Sequence, residues 1–462
     1  MTENKNETQF CRSFVKIFVF FLCLGGFLYQ SVTFLNIYWT YPTVVDIRIE
    51  YKLNMTMPSI TVCNNNRLRR SVYCKARPEN CEEKSSMEFC SDYPHLCGNG
   101  SSIYTAKREV FLESNKCNHS ELQLYGHSIT PLVTRFEILD SENYDFVEKK
   151  FNYIRISLSE GITCPRNCYA LNSVVENSNF DFVHISLQTE ERKIMKLFLD
   201  LEPEEYLDLS SSAEGYLAVH SPFKVLNPFI RGFKLQPGNI YYVDLFMEEK
   251  LSLQSPYRTN CRDYLKIWKE KNITGPFTWE MCVHHCKLTK TSTNCGCVQK
   301  RIIYPHNFPF CHSDDTCVSK LDLEACYSSC RQECISHSFK VSVTHKRIPD
   351  DLLRIYKEFY PQNVYNTLRN RCIILIFSVE RPEFLLYQYL PKYEIIEVFS
   401  FIGGYLGMWL GISLFAIFNF LEDAAIKIFT KYENQKKHKK QNVWTKVLCA
   451  RPKPFIRRKI LA

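Results

Sequence analysis

The stretch Glu394–Asp423, EIIEVFSFIGGYLGMWLGISLFAIFNFLED, decides how the rest of the chain is read. About 20 apolar residues at 1.5 Å each cross the ~30 Å hydrocarbon core of a bilayer, so residues 394–421 are expected to form a transmembrane helix. Its small residues are patterned. Ser400, Gly404, Gly407 and Gly411 fall at i, i+4, i+7 and i+11, one stripe on a helix. Small residues let helix backbones approach closely, so one reading of the stripe is a packing seam between membrane helices. The stripe ends in Gly411-Ile412-Ser413, where a glycine and a hydroxyl allow the helix to open and offer carbonyl oxygens. Irregular backbone at membrane depth is tolerated only where it is buried in protein or lines water. Rings of such oxygens, replacing hydration water, are how channels select ions. Glu422 and Asp423 close the span, either as acids that concentrate cations at a pore mouth or as ordinary interfacial carboxylates.

A second apolar run, Phe14–Tyr38 (FVKIFVFFLCLGGFLYQSVTFLNIY), lies near the start. It is too long for the apolar region of a signal peptide and lacks a small-residue cleavage site, so it reads as a transmembrane helix. Tyr29, Tyr38, Trp39 and Tyr41 supply an aromatic belt at its outer end. The segment between the two spans, 39–393, carries 19 of the 22 cysteines and Asn-x-Ser/Thr sites at Asn54, Asn99, Asn118 and Asn272. That combination belongs to an oxidising, glycosylating compartment. The segment is therefore expected to be extracellular, with residues 1–13 and 422–462 cytoplasmic. Charge agrees: Lys427–Ala462 holds 12 Lys/Arg against Glu433 alone, or +11, so with a whole-chain charge of +9 the remainder sums to −2. A basic tail beside a membrane helix follows the positive-inside rule and suits anionic lipid. It argues against a nucleic-acid partner.

After the first span, Asp46, Arg48 and Glu50 alternate with Val45, Ile47 and Ile49, the period of a half-buried strand. Pro58 introduces a second short strand, Ser59–Cys63. Here the residues resemble the epithelial sodium channel/degenerin family. The resemblance is carried by Gly26-Phe27-Leu28-Tyr29-Gln30, Tyr41-Pro42-Thr43-Val44 and Met57-Pro58-Ser59-Ile60-Thr61-Val62-Cys63-Asn64. In the second span it is carried by Ser400, Gly403-Gly404, Gly407, Trp409 and Gly411-Ile412-Ser413, a pattern ending in Gly-x-Ser.

The resemblance covers about Phe14 to Asp423. It implies an α+β membrane protein in which two transmembrane helices flank a disulfide-rich extracellular domain, assembled as a trimer with two further subunits, homomeric or heteromeric. It also implies an amiloride-sensitive, Na⁺-selective channel of the plasma membrane, without a cofactor. Gly411, Ile412 and Ser413 would be its selectivity filter. Ser400, Gly403, Gly404, Gly407, Glu422 and Asp423 would line the gate and pore, with bulky groups at Ser400 favouring opening.

Residues 67–125, with Cys74, Cys81, Cys90, Cys97 and Cys117, read as a loop-rich, disulfide-stapled insert at the position of the family's variable finger. Within it, Arg67-Leu68-Arg69-Arg70 reads as a solvated basic loop or a protease site. Residues 132–260 read as β-rich, and Cys168-Tyr169-Ala170-Leu171-Asn172 resembles a family element whose cysteine implies a Cys63–Cys168 bond.

Ten cysteines fall in 261–334. Cys282 and Cys286, and Cys326, Cys330 and Cys334, are spaced to line one face of a helix each. Two antiparallel helices would pair them in nested order, and the family's helical thumb implies Cys261–Cys334, Cys282–Cys330, Cys286–Cys326, Cys295–Cys317 and Cys297–Cys311. Sequence alone does not fix connectivity. A zinc site using His284, His285 and Cys286 is the rival reading. Arg371–Glu380 (RCIILIFSVE) reads as a buried strand, with Cys372 a buried free thiol.

The chain departs from the family in three places. No His-Gly pair precedes Phe14, Asn419 stands where an acid is common, and the tail has no Pro-Pro-x-Tyr motif. Two other functions have the same outline, an ATP-gated two-span cation channel and a non-conducting anchored receptor. No Ser/His/Asp, metal or phosphate-loop constellation stands out, so an enzyme is not expected.

Overall fold

The computed structural model describes residues 3–52, 54–84, 87–93, 103–107, 119–138, 151–157, 164–175, 184–187, 193–271, 275–311, 316–356, 368–379, 381–412, 421–422, 424–428 and 430–431. Helix α1 spans Glu3–Tyr38, followed by strands β1 (Thr43–Tyr51), β2 (Asn54–Thr56) and β3 (Ser59–Asn64) and helix α2 (Arg70–Ala76). Next come β4 (Cys81–Lys84), β5 (Ile103–Ala106), β6 (Val133–Ile138), β7 (Phe151–Ser157), β8 (Pro165–Leu171), β9 (His184–Ser186), β10 (Lys193–Asp200), β11 (Gly215–His220), β12 (Phe233–Leu235) and β13 (Asn239–Leu251). Helices α3 (Trp279–Cys295) and α4 (Ala325–Ser329), strands β14 (Ile335–Arg347), β15 (Cys372–Ser378) and β16 (Glu383–Pro391), and helix α5 (Ile395–Leu410) complete the order used below. The chain divides into two compact units, 1–42 with 391–462, and 43–390.

The larger unit is built on two sheets. One is five-stranded in the order β12-β11-β3-β8-β7, the other seven-stranded. Their facing side chains form the main core. Ile60, Val62, Leu171 and Leu217 come from the first sheet, and Leu197, Val243, Leu375 and Phe377 from the second. In the second sheet β14 pairs with β13 along its whole length, from Asn239↔Arg347 to Leu251↔Ile335. The other edge of β13 is shared, because β15 pairs with Ile240–Asp244 and β16 with Met247–Leu251, both in parallel. Among the described residues Leu245 and Phe246 have no ladder partner on that edge, and a cavity of about 340 Å³ opens there beside Arg381 and Glu383. β15 lies between β13 and β10 and is covered on both faces, which explains its unbroken apolar run. Cys372 at its start is half-buried.

β1 forms at the expected place, but the opposite face is uncovered. Ile47 and Ile49 are 58% and 60% exposed, while Asp46 and Glu50 are half-buried. Alternation reports a period of two and not which face meets the core. β1 is also an edge strand, at the end of the sheet order.

The outer face of the five-stranded sheet carries α3. Met281 and Leu288 pack with Cys63, Ile154 and Cys168. Helix α3 starts at Thr278, whose hydroxyl accepts from Met281 N–H, and ends at Gly296 in the left-handed region at φ 68°. Disulfides join Cys282 to Cys330, Cys286 to Cys326, Cys295 to Cys317, Cys297 to Cys311 and Cys261 to Cys334. Cys63 is bonded to Cys168 across the β3–β8 pair, and Cys74 to Cys81.

The expected second thumb helix is cut short, so that of Cys326, Cys330 and Cys334 only Cys326 lies on it. α4 has five residues, and Cys330 is already extended. Two forces end it. The hydroxyls of Ser328 and Ser329 donate back to the carbonyls of Ala325 and Cys326, an alternative to helix continuation. The chain beyond pairs with Arg262, whose N–H donates to Gln332 O at 2.7 Å and whose carbonyl accepts from Cys334 N–H at 3.2 Å.

Candidate functional site

In the smaller unit, α1 is the one helix among the described residues that is long and apolar enough to cross a membrane, over Phe14–Tyr38. The helix itself begins earlier, at Glu3. From Phe14 to Leu22 its large apolar side chains are exposed, which suits hydrocarbon and not water. α5 has 16 residues, about 24 Å at the helical rise, so it falls short of a ~30 Å core by itself. It opens on a reciprocal cap. Glu397 Oε2 accepts from Glu394 N–H at 3.0 Å while the Glu394 carboxylate accepts from the Glu397 N–H.

α5 stops at Gly411, which takes φ 63°, ψ 16° and donates its N–H to Gly407 O at 3.0 Å. Only glycine adopts that left-handed geometry without a Cβ penalty. The last carbonyls of a helix have no partner within it and carry its negative dipole end, an arrangement that favours a cation. Ile412 follows, non-helical and exposed. Ser413 and Asp423 lie outside the described residues, and Glu422 is exposed.

The small-residue stripe faces away from α1. Ser400, Gly403, Gly404, Gly407 and Gly411 are all exposed, and a Cβ built on any of these four glycines would meet nothing within 4 Å. Ser400 Oγ only donates back to Ile396 O at 2.9 Å. Contact with α1 runs instead through Phe401, Tyr405 and Trp409, an i, i+4, i+8 stripe that sequence reasoning missed although its spacing was visible. Within this chain, then, the glycines are not a packing seam with the first helix.

In the larger unit the basic run Arg67–Arg70 is neither a solvated loop nor an open cleavage site. Leu68 is buried, Arg70 donates to the carbonyls of Glu204 and Tyr104 at 2.9 and 2.7 Å, and burial pulls the pKa of Arg67 down. Arg69 reaches Glu202 at 3.3 Å. Burial works against the Glu202 carboxylate, yet a 3.2 Å bond with His127 and the charge of Arg69 outweigh it and lower its pKa. Beside this pair Arg371 Nε donates to both oxygens of Asp200 at 2.8 and 2.9 Å, with the two residues only 6% and 4% exposed. The cost of desolvating both charges offsets much of what such a pair gains.

His284 and His285 do not form a metal site with Cys286, whose sulfur is bonded to Cys326. His284 Nδ1 accepts from Ile303 N–H, and His285 meets Tyr304 edge-on. Among the described residues no group of three or more His, Cys, Asp or Glu could hold a metal. Asn54 is exposed at the start of β2, whereas Asn99, Asn118 and Asn272 lie outside the described residues.

The amiloride-sensitive sodium channel family model matches residues 5–422. The chain is similar to epithelial sodium channel subunit gamma-2 of Xenopus laevis, 24% identical over 299 residues that cover 60% of this chain and 44% of the relative. It is similar to the human epithelial sodium channel subunit alpha, 22% identical over 272 residues, 55% of this chain and 40% of the relative. Acid-sensing ion channel 4-B of Danio rerio is 23% identical over 419 residues, 86% of this chain and 68% of the relative. The chain spans less than half the length of the epithelial subunits that it matches. A solved structure of a proton-activated chloride channel matches over 88% of this chain and 96% of that chain, at a TM-score of 0.30 and 7% identity, too slight a likeness to carry an argument. On a match that runs through both apolar segments and everything between them, the chain belongs to the amiloride-sensitive sodium channel family.

Proposed function

We propose that this chain is a subunit of a sodium-selective, amiloride-sensitive cation channel of the plasma membrane, gated through its extracellular domain. Residues 14–38 and 394–421 are the two spans, and both termini are cytoplasmic. Gly411, Ile412 and Ser413 form the filter, with Ser400, Gly403, Gly404 and Gly407 above it and Glu422 and Asp423 at the inner mouth. Asn54, Asn99, Asn118 and Asn272 are the glycosylation sites.

The observation that carries this reading is the end of α5. The helix breaks at a left-handed glycine in mid-apolar sequence, and the side bearing its small residues is left uncovered by its own chain. A broken helix in hydrocarbon is tolerated only against protein or water. Three copies meeting on that uncovered side satisfy the condition, and their carbonyls then face an axis a dehydrated cation could occupy. The exposed Ile47–Ile49 face of β1 is a second surface that assembly would cover.

Voltage clamp of cells expressing the chain alone tests the proposal, since external amiloride should block a current carried by Na⁺. Well-expressed chains at the surface that pass no current under acid, peptide or mechanical stimulation would count against it.

A further inference from the structure

α1 and α5 belong to one compact unit, and they meet along two matched faces. Gly26, Gln30 and Phe34 recur every fourth residue on α1, as Phe401, Tyr405 and Trp409 do on α5, so each set occupies one side of its helix. At one end the Phe34 ring lies 4.7 Å from Phe401 and 6.4 Å from Tyr405. At the other, Trp409 Nε1–H donates to Gln30 Oε1 at 2.9 Å. The indole also lies over Gly26, where a Cβ would sit 2.8 Å from its Cη2 and Cζ3 atoms. A glycine is therefore required at 26 if the ring is to stay in place. In hydrocarbon an indole N–H has no water to bond, and the Gln30 amide oxygen supplies the acceptor.

We propose that Gly26, Gln30 and Trp409 form a positioning clasp that fixes the filter-side end of α5 on α1. Trp409 stands two residues before the Gly411 cap, so a shift of its ring displaces the backbone from which Gly411, Ile412 and Ser413 hang. None of the three belongs to the proposed filter segment. They act through the place where α5 ends, and this inference rests on the filter reading above.

The full-length chain tests it with Gln30→Met, which removes the acceptor at similar volume, and Trp409→Phe, which keeps a ring and deletes the N–H. Each removes one net hydrogen bond and so raises the unclasped population about fivefold, which should lower the Na⁺/K⁺ permeability ratio taken from reversal potentials with Na⁺ outside replaced by K⁺. The double variant should lower it no further, because both changes break the same bond. A purely structural role would reduce surface expression and current amplitude and leave the reversal potential alone. Conducting single variants with wild-type reversal potentials would overturn the clasp.

If the wild-type chain passes no sodium current, the filter reading fails and the clasp is judged separately. Membranes carrying Gly26→Cys with Trp409→Cys are treated with a short bifunctional thiol reagent. Peptide mapping should recover residues 26 and 409 linked, and a map without that peptide overturns the proposal.

Discussion

His220 is buried with both ring nitrogens committed. Nδ1–H donates to Ser221 O at 2.9 Å and Nε2 accepts from the Thr61 hydroxyl at 2.7 Å, so the neutral ring is satisfied, and a second proton would have to turn the Thr61 hydroxyl round and be carried without water. Burial pushes its pKa down to about 4, and burial does the same to His284. In the unfolded chain an imidazole takes up a proton near pH 6.5. Acid therefore favours the unfolded state: the stability these two residues permit is complete above about pH 6.5 and falls as pH drops toward 4. The unfolding temperature of the solubilised chain should decline over that window, and His220→Gln should make the decline shallower. An unchanged slope would mean that the proton reaches His220 in the folded state. Nothing local in the sequence announces this site, because Thr61 and His220 are brought together only when β3 pairs with β11. The same holds for Asp200 and Arg371, which are 171 residues apart.

At the scale of elements, spacing is informative where one element acts alone and silent about what covers it. Cys282 and Cys286 lie on α3, which Thr278 caps and Gly296 ends. Cys326, Cys330 and Cys334 have the same four-residue spacing, but the chain leaves the helix at Ser329 because Arg262 offers it a strand-like partner. Removing the Cys282–Cys330 bond by changing both residues to Ala should lower stability by about 2–4 kcal/mol, read from denaturant unfolding; no loss would mean that the cross-link is redundant with its neighbours. The two stripes of α5 follow the same pattern. The glycines were visible in sequence as a close-packing surface, yet only the structure shows that the aromatic stripe takes α1 and leaves the small one uncovered. If other copies fill that side in the closed state, Ser400→Phe overpacks the seam at a cost of about 1–3 kcal/mol per site. The cost falls on the closed state alone, so standing amiloride-sensitive current without a stimulus is the expected outcome. Well-expressed Ser400→Phe that stays shut, in a chain whose wild type conducts, would place Ser400 outside the gate.

For the whole molecule, the proposed order of parts rests on composition. A 25-residue apolar run, a cysteine-dense middle and a +11 tail need no long-range contacts to be recognised. What composition does not encode is the pairing of distant segments, such as the two strands that share one edge of β13 or the pairing of Arg69 with Glu202. The central proposal joins both levels: ions are selected at the segment Gly411-Ile412-Ser413, which begins where α5 ends. Its most direct test is the reversal potential of Gly411→Ala and Ser413→Cys with external Na⁺ replaced by K⁺, at matched surface expression. Alanine cannot hold φ 63° without strain, so the oxygens move and the dehydration cost of each ion changes. The expected result is a reversal potential shifted toward equal permeability for Na⁺ and K⁺ in at least one variant. Wild-type reversal potentials in both, with normal current, would contradict the assignment and move selection elsewhere in the chain.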